Sequence, residues 1–523
     1  MDLFIKIAML ALFFGSMIGV GLYCRRKSTD VNSFVLGGRS VGPWLTAFAY
    51  GTSYFSAVVF VGYAGQFGWK YGIAATWAGI GNAILGSLLA WAVLGRRTRV
   101  MSQHLNSATM PQFFQQRFDS KKLKLAASVI IFVFLIPYTA SLYNGLSRLF
   151  GMAFDIDYSV CVIAMAVLTA IYVIAGGYMA TAINDFIQGI VMIFGIIAVI
   201  VAVLNNYGGL NEAIRQLSQV TDPAVSDTAG AFTSFFGPDP VSLGGVVLLT
   251  SFGTWGLPQM VQKFYAIKSE KAITKGMVIS TIFALIVAGG CYFLGGFGRL
   301  VFPSTEAMGA AGNYDAIIPT MLSTLSPVLI GIVVVLVLSA SMSTLSSLVL
   351  TSSSTLTLDF IKGSLVKKMS EKKQLLVMRI LIGVFVAISV VIAIVQHNSG
   401  VTFISQLMGI SWGALAGAFL APFLYSLYWK RTSAASVWVC FIFSCAVMIA
   451  NIFFQDYFPT LLRSPINAGT FCMLAGLIIV PVVSLLTKAP KAEHIQKVFS
   501  CYDKKVVVSA KDAIGEPIKE ETT

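Results

Sequence analysis

The densest run of chemically capable side chains lies at 339–354, where Ser339-Ala340-Ser341-Met342-Ser343-Thr344-Leu345-Ser346-Ser347 continues to Thr351-Ser352-Ser353-Ser354. On a helix, Ala340, Ser343, Thr344 and Ser347 share one face at i, i+3, i+4 and i+7. Hydroxyls stacked beside a small residue that bares a backbone carbonyl are the oxygens a dehydrated alkali cation needs. The alternative is that these hydroxyls bond back to i−4 carbonyls or bridge neighbouring helices. Two other segments carry glycine, proline and hydroxyl residues inside apolar sequence. One starts at Gly42-Pro43 and contains Thr46, Gly51, Thr52, Ser53, Tyr54 and Ser56; the other holds Ser251, Gly253, Thr254, Gly256 and Pro258. Asp185, in Asn184-Asp185-Phe186, is an acid within an apolar run. At a helix N-terminus an acid caps the dipole, and within a membrane segment it is a functional candidate, so both readings stand. No Ser/His/Asp triad, P-loop, HExxH or dinucleotide motif occurs in a fitting context, and His104, His397 and His494 fall in loops or the tail. The chain is therefore not expected to be an enzyme.

The elements that position these residues follow from composition. Of 523 residues, 57% are hydrophobic and 11% charged, against about 25% charged in soluble domains. Apolar runs recur end to end, each long enough to cross about 30 Å of hydrocarbon. The expected spans lie near 3–23, 41–66, 72–94, 125–149, 158–178, 184–205, 241–265, 276–299, 326–358, 376–396, 403–428, 433–454 and 465–487, so the fold class is an all-α polytopic membrane protein of about thirteen helices. The connectors 207–240 and 303–325 read as loops, and the tail after Lys488 is too short and polar to pack a core of its own.

The net charge of +14 does not point to nucleic acid, because of where it sits. Walking alternately through the spans, the clusters at 25–27 with Arg39, 96–99, 117–124, 263–275, 362–373, 430–431 and the tail fall on one side of the bilayer. The other side keeps Lys6, Lys70, Arg148, Arg215, Arg299 and Arg463. That asymmetry sets the N-terminus outside and the C-terminus in the cytoplasm, with an odd number of spans. Arg25, Arg26 and Lys27 follow the first apolar run, whereas a cleaved leader has its charges in front. Arg148, Arg299 and Lys263 are placed close enough to interfaces to snorkel. The seven cysteines are scattered without metal spacing and read as small packing residues.

The two interrupted segments open blocks of five spans each, two to six and seven to eleven, in opposite orientations. Paired interruptions of this kind point to a transport site at the bilayer midplane. Ordinary small-residue packing is the competing account of either segment alone.

Three motifs then carry a resemblance over essentially the whole chain. Leu36-Gly37-Gly38-Arg39-Ser40, with Gly42-Pro43 after one intervening residue, Gly176-Gly177 with residues 181–188, and Ser341-Met342-Ser343-Thr344-Leu345-Ser346 resemble the sodium:solute symporter family. The resemblance implies a LeuT-type 5+5 inverted repeat, sodium coupling, alternating access and residence in a bacterial-type plasma membrane. It implies units at 1–40 (first helix and cytoplasmic loop), 41–206 (first repeat), 207–240 (extracellular loop), 241–430 (second repeat), 431–487 (spans twelve and thirteen) and 488–523 (cytoplasmic tail). By position, it implies a sodium site at Thr52 and Phe55 through carbonyls, Ala340 through its carbonyl, and the hydroxyls of Ser343 and Thr344. A second sodium site would use Asp185, Ser343, Ser346 and Ser347. Pocket candidates are Ser53, Ser56, Tyr138, Ser251, Thr254, Trp255 and Gln259.

The solute is expected to be a small amino acid such as proline, or a monocarboxylate. Proline symporters of the family have an acid where this chain has Tyr54 and a tryptophan where it has Val58, although Tyr138 and Trp412 match. Sugar symporters have Gln, Glu and Asn where this chain has Val59, Ala78 and Ser251. No cofactor beyond the coupling ion and no nucleic acid partner is expected, and the unit is expected to be a monomer in the bilayer. Proton coupling, a channel and a solute sensor are the competing functions. A channel would need a filter or charged rings, and a sensor of this family a fused signalling domain.

Overall fold

The computed structural model describes residues 2–26, 29–154, 157–308, 314–366, 368–399 and 404–503. Lys27 of the first basic cluster and the tail beyond 503 lie outside the described residues. What is described is helical, apart from two isolated backbone bridges, Val41 with Ile267 and Asp222 with Ser226. Ten helices are long and apolar enough to cross a bilayer, and eleven if Pro240–Gly256 and Pro258–Ala266, bent by 47°, make one broken span.

Two of the ten are long enough for two crossings. Tyr158–Asn206 has 49 residues, ~73 Å at 1.5 Å per residue, and Val58–His104 has 47. Each contains a break at a glycine. Gly177 sits at φ 57°, ψ −150°, and a Cβ there would lie 2.7 Å from the Phe34 ring and 2.8 Å from its carbonyl, so both the backbone angle and the space exclude a side chain. Gly72, at φ 64°, divides the other run.

Burial sorts the helices into centre and rim. The apolar window of Ile404–Tyr428 is 94% buried and that of Pro327–Lys362 is 72% buried, against 33% for Glu371–Val395. The hydroxyl-rich segment thus lies in the middle of the bundle, and the outer faces of the rim helices are left apolar for lipid.

The connectors are more structured than their composition suggests. Residues 207–240 contain the amphipathic helix Leu210–Ser218, and 303–325 contain Ile317–Ser323, whose Ile317, Ile318 and Leu322 are buried. Arg299, expected to snorkel, is instead fully buried. Its guanidinium pairs with Asp222 at 2.7 Å and lies over the Trp69 and Phe232 rings at 3.6 and 4.0 Å. The arginine sits at the end of Glu270–Gly295, where the 207–240 loop folds back to meet it. The described part of the tail forms the helix Ala492–Phe499, which docks on the loops. Arg117, also buried, lies 5.0 Å from the Phe499 ring, and the Tyr502 hydroxyl donates to Arg97 O at 3.0 Å.

Candidate functional site

The first interrupted segment is a broken helix. Pro43–Tyr54 begins with proline in its first turn, where no N–H is needed, and ends at Phe55, whose backbone is extended (φ −90°, ψ 117°). The chain resumes through a π-helical turn, Val58–Tyr63, into Ala64–Tyr71. No proline forces this break, and unpaired backbone in a bilayer costs several kcal/mol. The segment 339–347 supplies the missing partners. Ser341 Oγ accepts from Ala57 N at 3.1 Å. Thr344 Oγ1 lies 3.1 Å from Thr52 O, 3.2 Å from Phe55 O and 3.1 Å from Ala340 O. Ser343 Oγ lies 3.1 Å from Thr52 O and 3.0 Å from Ala340 O. Back-bonding and bridging, the two alternatives for these hydroxyls, therefore occur together. Three carbonyls and two hydroxyls converge on one spot, all from residues that are buried.

The second interruption has a local cause. Pro240–Gly256 stops at Leu257 (φ −77°, ψ 122°), and Pro258 opens the next helix, Pro258–Ala266. Proline removes the N–H that would continue the ladder and restricts the residue before it. Three expected pocket residues turn away to hold this break against the π-helical stretch Asn82–Leu89. Ser251 Oγ bonds Asn82 Oδ1 at 3.3 Å, Thr254 Oγ1 donates to Gly86 O at 3.1 Å, and Trp255 Nε1 donates to Leu85 O at 2.9 Å.

Of the other four pocket residues, Ser53 is bonded to Ser347 and Ala49 O, and three behave differently. Ser56 Oγ, Tyr138 Oη and both polar atoms of the Gln259 amide are buried, and none has a hydrogen bond of good geometry to a described residue. Ser56 and Trp412 are polar neighbours of Tyr138, and the Tyr138 and Trp412 rings meet edge to face at 5.9 Å. Trp412 Nε1 and Tyr63 Oη share the unbonded state, and the Trp412 ring lies against Gly253 of the second break. Buried polar groups are paired in the great majority of cases, and each unpaired one costs about 1–3 kcal/mol. A cluster of them beside two helix breaks is what a pocket for a polar solute requires. Trp412 and Tyr63 are additions to the residues the sequence singles out. Trp412 has a signal only through the family match, and Tyr63 has none.

Asp185 is fully buried, eight positions beyond the break at Gly177. Neither of its carboxylate oxygens accepts a hydrogen bond from a described residue, so it does not cap a helix N-terminus. Facing it is Lys263, whose expected interfacial position is corrected by the structure: the side chain is 2% exposed. Lys263 lies five positions past the Pro258 break, on a nine-residue helix that is buried along its whole length. A half-helix in the middle of the bundle gives its lysine no route to an interface. The ammonium sits 3.8 Å from Asp185 Oδ2, 3.0 Å from Ser347 Oγ and 5.1 Å from the centre of the Tyr178 ring. Ser347 Oγ in turn lies 2.8 Å from Ser53 Oγ, which donates to Ala49 O at 2.5 Å. Ser346 Oγ bonds Ser343 O at 2.9 Å.

Toward the ends of Ala64–Tyr71 and Pro240–Gly256 a cavity of about 560 Å³ opens, lined by Gln66, Lys70, Tyr71, Asp239, Ser242 and Asn467 among others.

Two broken helices meeting a hydroxyl-lined central helix, inside a bundle with an apolar rim, define a polytopic membrane transporter. The fold is shared with a solved structure of a Na+-coupled sialic acid symporter in a substrate-bound outward-open state, at a TM-score of 0.73 over 93% of this chain and 99% of that one, with 19% identity. The chain belongs to the sodium:solute symporter family, whose model matches residues 34–443. Among curated relatives, the sodium/proline symporter of Haemophilus influenzae is 31% identical over 80% of this chain and 82% of its own length. That of Escherichia coli is 29% identical over 92% and 93%. The osmoregulated proline transporter OpuE of Bacillus subtilis is 27% identical over 95% and 97%.

Proposed function

We propose that this protein is a sodium-coupled symporter that carries a small amino acid, proline first among those to test, or a monocarboxylate into a bacterial cell by alternating access. The observation that carries the reading is the convergence of Thr52 O, Phe55 O, Ala340 O, Ser343 Oγ and Thr344 Oγ1 at the break of the second span. A sodium ion bound there links the broken helix to the 327–355 helix and draws on oxygens that are already oriented. Its charge, moved inward, is driven by about 2.3 kcal/mol per 100 mV, which supports roughly 50-fold accumulation from voltage alone.

Splitting the two long helices at Gly72 and Gly177 gives thirteen crossings, with the N-terminus outside and the C-terminus in the cytoplasm. Residues 41–206 and 241–430 are then the two inverted repeats, flanked by the first helix and loop (1–40), the outer loop 207–240, spans twelve and thirteen (431–487) and the tail (488–523). In this orientation the 560 Å³ cavity faces outward as the entry vestibule. The solute lies among Ser56, Tyr138 and Trp412, with Gln259 at the second break as a further contact. An amino acid there meets its carboxylate and ammonium demands at the half-helix ends. The surplus of basic residues is topogenic, no nucleic acid is involved, and a monomer suffices, since both repeats lie in one chain.

Purified protein in proteoliposomes is expected to accumulate radiolabelled proline only under an inward sodium gradient, with uptake reduced at least tenfold in Ser343→Ala or Thr344→Ala. The buried Asp185–Lys263 pair is the one feature that favours proton coupling. Uptake driven equally well by a pH gradient in sodium-free buffer would establish that alternative and remove the sodium reading.

A further inference from the structure

We infer that Lys263 is a built-in cation: its ammonium takes the place between Asp185 and Ser347 that a second sodium ion would occupy, so a single mobile sodium serves each transport cycle. This rests on the sodium reading of the hydroxyl-rich segment, and the counts below separate the two.

The site expected for a second ion combined Asp185 with the hydroxyls of Ser343, Ser346 and Ser347. In the structure these groups part company. Ser343 belongs to the first cluster of oxygens through Thr52 O and Ala340 O, and Ser346 donates to Ser343 O, with Tyr172 standing between it and Asp185 as a neighbour of both. Asp185 and Ser347 remain, and the lysine nitrogen lies between them at 3.8 and 3.0 Å. An ammonium carries the charge of a sodium ion and, with three donors and no acceptor, asks for the same ligands, a carboxylate and hydroxyl oxygens.

The hydroxyls beside it fall into a consistent order. Because the ammonium only donates, Ser347 accepts from it and donates its own O–H to Ser53 Oγ at 2.8 Å, and Ser53 donates to Ala49 O at 2.5 Å. Ala49 and Ser53 lie on Pro43–Tyr54, the helix that ends at the first oxygen cluster. The fixed charge thus sets the donor order of the Ser347–Ser53–Ala49 chain on the helix that carries Thr52 and ends at Phe55. The phenols Tyr172 and Tyr178 also lie near Asp185. With its lysine present the acid is matched by one positive charge, and a second monovalent cation would leave the buried pair with net positive charge. The tether sits on a half-helix set off by the break at Pro258. Displacement of the Pro258–Ala266 half-helix would carry the ammonium away from Asp185, separating the same charges that release of an ion separates.

The test is a count of bound sodium, using the full-length protein in lipid nanodiscs and saturating ²²Na⁺ with no solute. The wild type is expected to bind one ion per chain and Lys263→Ala two, because the freed carboxylate and the vacated space admit sodium. Asp185→Asn/Lys263→Ala, which removes both charges, is expected to return to one. Thr344→Ala is expected to lose one ion in either background. Two ions on the wild type, or an unchanged count in folded Lys263→Ala, overturns the lysine assignment. No ion on the wild type with one on Lys263→Ala removes the sodium reading of the hydroxyl segment and leaves the lysine assignment standing. Should Lys263→Ala fail to fold, the wild-type count decides, with one ion supporting the assignment and two overturning it.

Discussion

Asp222 and Arg299 meet at 2.7 Å, and each is held from several other directions. Asp222 Oδ2 also accepts from Thr305 N and Thr305 Oγ1, and Oδ1 accepts from Ala224 N. Arg299 adds bonds to Trp69 O and Pro303 O and two aromatic faces. Asp185 and Lys263 are buried as deeply, yet approach only to 3.8 Å, and the carboxylate accepts no hydrogen bond from a described residue. Desolvating a pair of charges is offset only when geometry and additional hydrogen bonds satisfy both partners. The first pair comes much nearer that condition, with only Arg299 Nη2 left without a partner among the described residues, and it fastens a loop to a helix end. The second does not, and it stands between a broken helix and the hydroxyl-rich segment. A well-satisfied pair serves structure; a poorly satisfied one beside a site marks groups whose partners change during function.

The strongest way to break this comparison is to remove one cation from each pair. Arg299→Met leaves Asp222 buried without its partner, and a loss of about 3–5 kcal/mol is expected, read as a large drop in melting temperature or in yield of folded protein. Lys263→Ala is expected to cost less in sodium buffer than in potassium buffer, because an ion that binds only the folded state stabilises it by mass action. Equal melting temperatures for Lys263→Ala in the two buffers would remove the contrast.

A pH series sharpens the first pair. Burial alone would raise the Asp222 carboxyl, but the Arg299 guanidinium and the bonds from Thr305 outweigh it and hold the group below its ordinary value of 3.8. A depressed carboxyl contributes stability that is present above the unfolded-state value and is lost as pH falls through the folded-state value. The stability gap between wild type and Asp222→Asn is therefore expected to be constant near neutrality and to close below about pH 4. A gap that widened on acidification would contradict the assignment. The smallest effect separates paired from unpaired hydroxyls in the same way. Ser251→Ala removes a 3.3 Å bond, at a cost of about 1 kcal/mol or less, with solute affinity unchanged. Ser56→Ala removes no bond of good geometry and is expected to leave stability intact while weakening solute binding several-fold, measured as the KM for uptake.

Several features of the site are legible in the order of residues alone. The stripe Ala340, Ser343, Thr344 and Ser347 follows from helical period, and the second break follows from Pro258, a residue that cannot continue a ladder. The first break is legible only as a region. Gly51, Thr52, Ser53 and Ser56 mark it, but its position at Phe55 depends on which carbonyls find donors on 341–344, and those lie 284 to 292 positions away. Lys263 escapes a sequence reading in which distance from the end of an apolar run stands in for depth. Span seven is broken, and its second half is buried on every side, so that rule does not apply. Ser251, Thr254 and Trp255 group with Ser56 and Gln259 in the sequence, which does not show which polar groups are already bonded.

The sequence alone determined that this chain is built of apolar helices long enough to cross a bilayer, in which regions helices are interrupted and which helix carries the oxygens. These follow from local quantities: run length, period, proline and glycine, and the placement of charge. Only the tertiary structure decided which oxygens converge, which polar groups remain unbonded and that a lysine faces Asp185. Those outcomes depend on distances between helices, and each helix satisfies its own backbone whatever stands beside it. The resemblance offered a second ion at Asp185 as one possibility, and the packed bundle set Lys263 beside that acid.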